Sequence, residues 1–434
     1  MPQAYNRPWV EARVAQAIEL WQRCDAPLPL PERLYSQKDQ QERELACGEA
    51  VTAVEQEARK ASRGRAGRLA IQDRVVDLFV RVAGPAFGLE ADAIALIRDR
   101  FLPLGAEFAR SARRFDRSLS MADIVQACRN AWTACGLQPM LGERMELTPS
   151  ILGYSLLYPY SDNYLDCRRV SAEAKLRFSK RFRSRLRGEE LSPANDREAA
   201  IWAAVALIER QYPHKSFPQV YDSLLAIHQA QEESIAQLGG NRRCGDAEIL
   251  RISCAKGGTS VLANACLCRG WLEEQEELLS FEMGLLLQLG DDLQDLRNDL
   301  RLGSATLFTA AVLRGASLDS LVAQLLNLHE RVATRLEFLP QGSPVLRRLL
   351  RTSWRSLILG AVAQAREFFS PGFLSELEAS SPLRFAFLRD RNRRLASRKS
   401  LYSSLFEAFL ETPEDSEDKT SLPVTGQLLY GILQ

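Results

Sequence analysis

The spacing of apolar residues is helical along almost the whole chain, and no stretch shows the strict alternation of a half-buried strand. Pro and Gly residues divide this pattern into segments of ordinary helix length. We therefore predict an all-α protein. Helices are expected at residues 10–24, 37–62, 69–82, 91–111, 121–135, 146–166, 197–211, 219–238, 247–268 and 273–302, and within 307–369.

Two local signals predict where particular helices begin. Ser120 is a favourable N-cap residue, and Asp123 follows it in the first turn of the helix, where the macrodipole favours negative charge. Pro149 follows Thr148, and proline suits the first helical turn because its missing N–H is not needed there. We therefore expect one helix to start directly after Ser120 and another directly after Thr148.

The chain divides into three parts by composition. Residues 1–36 combine a short amphipathic helix with a proline-rich stretch, and we interpret them as an N-terminal arm. Residues 37–410 are expected to form one large all-α domain. Residues 411–434 begin with an acidic stretch that is poor in apolar residues, which is typical of a disordered linker, and end in a short tail.

A row of acidic residues follows an apolar helix body in the second half of the chain. Asp291, Asp295 and Asp299 are four residues apart, so a helix would place their carboxylates on one face. Like charges at this spacing destabilise a helix, and the macrodipole disfavours negative charge in its C-terminal half. A divalent cation would relieve both costs, and carboxylate oxygens suit Mg²⁺. We predict a metal site here in preference to a solvated helix end.

A second acidic pair lies upstream. Asp162 and Asp166 are again four residues apart, and Tyr154 and Tyr158 precede them by one to two turns. Two helices that are apolar below and acidic above would face each other around a cavity, with metal ions at its mouth. Such a cavity suits a molecule with an anionic head and a long apolar tail, for example the diphosphate ester of a polyprenol.

The two acidic motifs together resemble those of the class I isoprenoid synthases. This superfamily contains prenyl diphosphate synthases, squalene and phytoene synthases, and class I terpene cyclases. Asp291, Asp295 and Asp299 match the spacing of the second cyclase motif, and residues 291–295 (DDLQD) match the DDxxD motif of chain-elongating enzymes. The first motif (SDNYLD) is thinner than in many relatives, which carry further acids in it. The resemblance covers roughly residues 150–310.

The resemblance implies a fold and a set of ligands. The fold would be a single large helical bundle of the isoprenoid synthase type around a deep central cavity. A polyprenyl diphosphate would bind in this cavity together with three Mg²⁺ ions. The metal ligands implied by the two motifs are Asp162, Asp166, Asp291, Asp295 and Asp299.

The resemblance also implies contacts with the diphosphate and with the cavity. Gly257 and Gly258 each cost a helix about 1 kcal/mol relative to alanine, so the pair indicates either a helix break or a close approach of another segment. Elongating relatives carry a Lys-Thr pair at a helix break on the stretch that contains Lys256. Lys256 would therefore act in catalysis beside the acids of both motifs, and Arg168 and Arg169 would also bind the diphosphate. The residues expected to line the cavity are Tyr154, Tyr158, Leu287 and Gln288.

Two strongly basic stretches, 168–187 and 389–399, have more than one interpretation. The first is a solvated surface, a diphosphate site, or a surface attracted to an anionic membrane, where an oily substrate would be found. The second either closes over the site or faces water, and we favour water.

Several activities remain within the superfamily. We favour a terpene synthase that ionises one linear polyprenyl diphosphate and cyclises or quenches the carbocation. The alternative is a prenyltransferase, either a head-to-head enzyme or a chain-elongating one, although the Gly-Lys-Arg motif of elongating relatives has only a faint echo at Arg63-Gly64-Arg65. A non-catalytic helical partner that binds a prenyl chain is the second alternative.

The composition argues against several classes of protein. The chain has 434 residues, 46% of them hydrophobic, and its 56 basic and 55 acidic residues leave a net charge of +1, so no overall field attracts nucleic acid. Nine scattered cysteines, three dispersed histidines and no visible signal peptide argue against a disulfide framework or a zinc site and favour a cytoplasmic protein. A homodimer, common among the relatives, and peripheral membrane contact stay open.

Overall fold

The computed structural model describes residues 7–61, 74–78, 80–81, 83–84, 86–167, 169–237 and 245–408. Within these ranges, the side chains of Tyr158, Asp162 and Asp166 lie outside the described part. The described chain is helical and contains no β-strand, which confirms the predicted all-α class. None of its helices is both long enough and apolar enough to cross a membrane.

The helices are given in chain order. The first nine are α1 (Arg7–Gln22), α2 (Gln37–Ala61), α3 (Ala91–Leu96), α4 (Leu102–Phe115), α5 (Met121–Met140), α6 (Pro149–Asp166), α7 (Ala172–Leu186), α8 (Asp196–Gln211) and α9 (Pro218–Ser234). The others are α10 (Asp246–Arg269), α11 (Glu274–Gln294), α12 (Leu296–Leu302), α13 (Leu307–Leu313), α14 (Asp319–Leu336), α15 (Pro344–Gln364), α16 (Pro371–Ala379), α17 (Phe385–Ser397) and α18 (Lys399–Ala408).

Both predicted helix starts are confirmed by the hydrogen bonds at the caps. The Asp123 N–H donates to Ser120 Oγ (3.1 Å), and the Ser120 N–H donates in return to the Asp123 carboxylate (3.2 Å). At the start of α6 the Ile151 N–H donates to Thr148 Oγ1 (3.3 Å). These bonds satisfy N–H groups that have no partner within the helix.

The single helix predicted at residues 91–111 was wrong in detail. The structure has α3, then a π-helical segment at Ile97–Phe101, and then α4. Pro103 stands in the first turn of α4. Because proline has no N–H, it cannot donate to the preceding turn, and the helix adjusts its hydrogen bonding there.

The chain separates into two compact units. The first unit comprises Met1–Pro29 and Thr133–Gly342, and the second comprises Leu30–Trp132 and Ser343–Gln434. Both acidic motifs and Lys256 belong to the first unit. The predicted domain boundaries after residues 36 and 410 stay a prediction, and residues 411–434 lie outside the described part.

The first unit is built around α10. This helix packs against α9 and α11, and it also contacts α1, α6 and α13. Most of its residues from Ile249 to Cys268 are buried, as expected for a helix that other helices surround. The helix of the N-terminal arm, α1, is part of this unit, because it packs on α10, α11 and α14.

In the second unit, α15 packs against α3 and α17, and α2 packs against α18. Part of the predicted basic stretch 389–399 has an internal role there. The buried carboxylate of Glu55 accepts hydrogen bonds from Arg394 Nε (2.8 Å) and from the Tyr402 hydroxyl (3.1 Å), and Arg398 also pairs with it. These ion pairs hold α2 to α17 and its neighbour, a role that the sequence did not suggest.

Candidate functional site

The tightest helix crossing of the motif region joins α10 and α11. A Cβ added to Gly284 would lie 2.1 Å from the Gly257 carbonyl oxygen, and a Cβ added to Gly258 would lie 2.3 Å from the ring of Phe281. Only glycine allows the two backbones to approach this closely. The crossing therefore places the residues around Lys256 directly beside the body of α11.

Of the two alternatives for Gly257 and Gly258, a helix break or a close approach, the structure shows the close approach. α10 continues without interruption from Asp246 to Arg269, and the Thr259 hydroxyl donates to the Ala255 carbonyl within the same helix (2.6 Å). The Gly pair serves the second of the two roles that such residues indicate, a close helix contact. Burial of the apolar surface at the crossing compensates the poor helix propensity of the glycines.

The first motif helix, α6, runs antiparallel to α10. The Ser150 hydroxyl, near the start of α6, donates to the Leu267 carbonyl (3.0 Å), near the end of α10. One turn further along α6, the Tyr154 hydroxyl donates to the carbonyl of Ser260 (3.4 Å), which lies two turns earlier on α10. The last turns of α6, which carry Asp162 and Asp166, therefore point towards the N-terminal end of α10.

The second motif helix, α11, is also antiparallel to α10. Gly284 meets Gly257, and two turns later Asp292 accepts a hydrogen bond from the hydroxyl of Ser253 (3.2 Å). Hence α6 and α11 run in the same direction, and the acidic end of each points towards the N-terminal end of α10. That the two motifs face each other around a cavity stays a prediction.

The carboxylates of the second motif differ in environment. Asp292 is buried and accepts hydrogen bonds from Ser253 and from Gln288 Nε2 (2.8 Å). Asp291 and Asp295 are exposed. Asp292 therefore serves the contact between α10 and α11, whereas the carboxylates on either side of it face outward.

Burial and repulsion raise the pKa of two of these carboxyls. The pKa of Asp292 rises to about 7, mainly because of burial and further because of Asp299 and Asp291, although Gln288 and Lys256 oppose the shift. The pKa of Asp299 rises to about 6 because of burial and the charge of Asp295, against hydrogen bonding from Ser304 and the charge of Lys256. Lys256 thus lowers the pKa of both carboxyls, but burial and repulsion between the acids outweigh its effect.

The single helix predicted at residues 273–302 is two helices. Asp295 separates α11 from α12 and has φ −88° and ψ 1°. The hydrogen-bonded ladder continues across it, since the Asp295 N–H donates to the Asp291 carbonyl (2.8 Å) and the Asp299 N–H to the Asp295 carbonyl (2.9 Å). Aspartate is a poor helix former with acids of like charge one turn away on either side, so a local departure from helical angles is reasonable here.

The acidic end of α11 does not form a metal centre by itself. Among the side chains that the structure describes, no three His, Cys, Asp or Glu residues are placed to hold one metal ion. Neighbouring acids of the row are about 6 Å apart along the helix axis, because each residue rises about 1.5 Å. Ligands from α6 would have to complete the site, and Asp162 and Asp166 stand on the part of α6 that points to the same end.

The residues predicted to line a cavity have several roles. Tyr154 is buried, with its hydroxyl bonded to α10, and Leu287 is half-buried. Gln288 orients Asp292, which we did not predict, although the spacing of four residues between them is the signal that could have shown it. Ser253 was also missed, because its partner lies on another helix.

The basic stretch after the first motif divides into two sets. Arg168 lies outside the described residues, and Arg169 is exposed. On α7, Arg181 pairs with the buried Glu198 of α8 (2.9 Å), Arg183 pairs with Glu232 of α9, and Arg185 pairs with Glu209 of α8 (2.5 Å). These three arginines hold α7 to the unit, a structural role that none of the three predicted interpretations included.

The described geometry supplies two acidic helix ends, a nearby lysine and an apolar helix body behind one of them. Comparisons of the chain with models of protein families, with curated proteins and with solved structures found no match. The functional interpretation therefore depends on the residues of this chain and on their arrangement.

Proposed function

We propose that this protein is a class I terpene synthase. It would ionise a linear polyprenyl diphosphate with Mg²⁺ and would cyclise or quench the resulting carbocation. The observation that carries the proposal is the common direction of α6 and α11, which brings Asp162, Asp166 and the second acidic row to the same end of α10. Lys256, near the middle of α10, lies within electrostatic range of Asp292 and Asp299.

The donor set fits magnesium in its chemistry. The exposed carboxylates of Asp291 and Asp295, with those of α6, would hold the ions, because hard oxygen ligands suit Mg²⁺. Bound magnesium supplies charge neutralisation of a diphosphate leaving group as an allylic C–O bond breaks. Asp292 is not proposed as a ligand, since both of its oxygens accept hydrogen bonds from the protein.

The other residues bind and orient the substrate. Lys256 would donate a charge-assisted hydrogen bond to the diphosphate. The isoprenoid tail would lie along the apolar body of α11, where exclusion of water protects a carbocation from premature quenching. An aromatic face such as that of Tyr154 would stabilise the cation by about 1 to 2 kcal/mol where the contact is desolvated. A helical bundle of the isoprenoid synthase type with a central cavity is part of the same proposal.

The test is a substrate panel. Purified full-length protein is incubated with Mg²⁺ and, separately, with geranyl, farnesyl, geranylgeranyl and geranylfarnesyl diphosphate, each with and without isopentenyl diphosphate. Released diphosphate and organic products are measured together. We expect a hydrocarbon or an alcohol from a single substrate, with diphosphate release that stops when EDTA removes the metal.

Each other outcome identifies an alternative. Longer diphosphates that form only with isopentenyl diphosphate would indicate chain elongation, and a product of doubled length would indicate head-to-head condensation. If no substrate is turned over, but a prenyl diphosphate binds, the protein is the non-catalytic prenyl-binding partner. Absence of both binding and turnover across the panel would contradict the proposal.

A further inference from the structure

The basic residues on and beside α7 form two groups that differ in their partners. Arg181, Arg183 and Arg185 pair with acids of α8 and α9, as described above. A second group faces outward, and we call it the outer stripe: Leu176, Arg177, Lys180 and Arg187. Lys180 follows Leu176 by four residues and lies on the same side of α7, Arg177 is adjacent to Leu176, and Arg187 directly follows the last residue of the helix.

The outer stripe carries uncompensated positive charge. All four of its residues are exposed. Within the described chain, Lys180 and Arg187 have no acidic partner, and Arg177 is only 3.7 Å from the exposed carboxylate of Glu173, a contact that contributes little in water. Lys175 and Arg169 add two further cationic side chains beside the stripe. The face therefore carries excess positive charge on a chain whose net charge is only +1.

An exposed apolar residue lies among these cationic side chains. The side chain of Leu176 is exposed to 54% although lysine and arginine residues surround it in sequence. The opposite face of α7 buries Phe178, Phe182 and Leu186. On an anionic bilayer, the cations of this face would meet lipid phosphates, and the exposed leucine would enter the boundary of the acyl chains.

The stripe lies near the acidic end of the first motif helix. α7 begins six residues after Asp166, and the ring of Tyr164 on α6 packs edge-on against Phe178 of α7, with centroids 5.2 Å apart. A bilayer that contacts the outer stripe would thus lie close to the end of α6. A polyprenyl diphosphate partitions into bilayers through its tail, so this position would allow it to enter the site from the membrane.

We propose that the outer stripe of α7 docks the protein on an anionic lipid surface. Only the suggestion that lipid contact delivers the substrate rests on the proposed function; the docking itself does not. Leu176 distinguishes lipid from nucleic acid as the partner, because a polyanion that offers only phosphates gives an exposed leucine nothing to bury against.

The test is co-sedimentation of the full chain with vesicles, in EDTA and without any prenyl diphosphate. The vesicles are phosphatidylcholine alone or phosphatidylcholine mixed with phosphatidylglycerol. Each basic residue near an anionic leaflet contributes about fivefold to binding, so Arg177→Gln with Lys180→Gln should weaken binding to the anionic vesicles by about 30-fold. The matched control, Arg393→Gln with Lys399→Gln, removes the same charge from exposed positions of the second unit and should bind as the wild type does.

Leu176→Ser completes the test. It should weaken binding to anionic vesicles several-fold without changing its dependence on salt, because it removes apolar contact and no charge. The proposal is overturned if the wild type does not bind anionic vesicles, or if the control pair loses as much affinity as the stripe pair. It is also overturned if two results occur together: Leu176→Ser has no effect on vesicle binding, and the double variant Arg177→Gln, Lys180→Gln loses as much affinity for an RNA oligonucleotide as for vesicles. The stripe would then be a general polyanion surface. Since the assay contains no substrate or metal, its result is independent of the proposed catalytic activity.

Discussion

The two ends of α11 are both acidic, yet the protein treats them differently. The N-terminal end carries Glu273, Glu274, Glu276 and Glu277, where the helix macrodipole favours negative charge. The Glu277 carboxylate is buried and accepts hydrogen bonds from Arg13 (2.9 Å), Trp9 Nε1 (3.0 Å) and Gln219. Glu276 pairs with Arg269 and closes a capping box with the backbone of Glu273.

At the C-terminal end the buried acid is held differently. The acids stand where the macrodipole is unfavourable, and the hydrogen bonds to the buried Asp292 come from the neutral side chains of Ser253 and Gln288. The pKa values of Asp292 and Asp299 are raised, and Lys256 offsets only part of this shift. The comparison teaches that the number of acids on a helix does not by itself distinguish its ends. What distinguishes them is the environment of the buried acid, which is an ion pair for Glu277 and neutral hydrogen-bond donors for Asp292.

The largest expected effect comes from removing the ion pair between Arg13 and Glu277 at the N-terminal end of α11. Arg13→Met should lower the free energy of unfolding by about 4 kcal/mol, because it leaves Glu277 buried without its cation. Lys256→Met is the matched change at the other end, and it should cost less than about 1 kcal/mol, since Lys256 is only half-buried. Urea unfolding of both variants measures the difference, and equal losses would contradict the contrast between the two ends.

The next effect tests the crossing that places Lys256 beside the acids. Gly284→Ala should lower the free energy of unfolding by about 3 kcal/mol, because the new Cβ would meet the Gly257 carbonyl oxygen at 2.1 Å. Gly290→Ala in the same helix has open space around its Cβ and should raise stability by up to about 1 kcal/mol. Thermal unfolding of the pair decides the point, and similar behaviour of both variants would show that the close crossing is not formed.

Glu209 of α8 has a cationic partner, as Glu277 at the N-terminal end of α11 does. Burial opposes ionisation of Glu209, but hydrogen bonds from Arg185 and His214 outweigh it and lower the pKa of this carboxyl to about 2. Its contribution to stability, about 2 kcal/mol, should be complete above pH 4.5 and should be lost as the pH falls towards 2. The stability difference between wild type and Glu209→Gln, followed by urea unfolding, should shrink over this range; a constant difference would contradict the prediction.

The smallest expected effect is a gain in stability. Asp292→Asn should raise the free energy of unfolding by about 1 kcal/mol at neutral pH in EDTA, since it removes a buried like charge and keeps groups that can bond Ser253 and Gln288. Chemical unfolding of the metal-free protein provides the measurement. A loss of stability would mean that the C-terminal acids are compensated after all.

The sequence predicted local structure better than it predicted contacts. The starts of α5 and α6 followed from Ser120 and Thr148, because a cap depends on residues only three positions apart. The glycines at 257 and 258 were ambiguous, since the residue that decides between a break and a contact is Gly284, which is distant in sequence. The same limit hid the role of Ser253 and the acids that pair with the inner arginines of α7.

The same difference between local structure and long-range contacts applies to the candidate site. The spacing of the acids predicted which residues share a helix face, and the antiparallel packing on α10 gives both motif helices the same direction. The spacing could not predict that Asp292 would be buried while Asp291 and Asp295 are exposed. That distinction depends on the exact rotation of α11 against α10, which the glycine crossing determines.

The central proposal is that the C-terminal end of α11 binds metal and that its N-terminal end does not. The most direct test is calorimetric titration of Mg²⁺ into the protein with inorganic diphosphate present. Asp291→Asn with Asp295→Asn should weaken Mg²⁺ binding by about 100-fold or more, whereas Glu274→Gln, which alters an exposed acid at the other end of α11, should bind as the wild type does. Absence of binding by the wild type, or equal binding by all three proteins, would contradict the account.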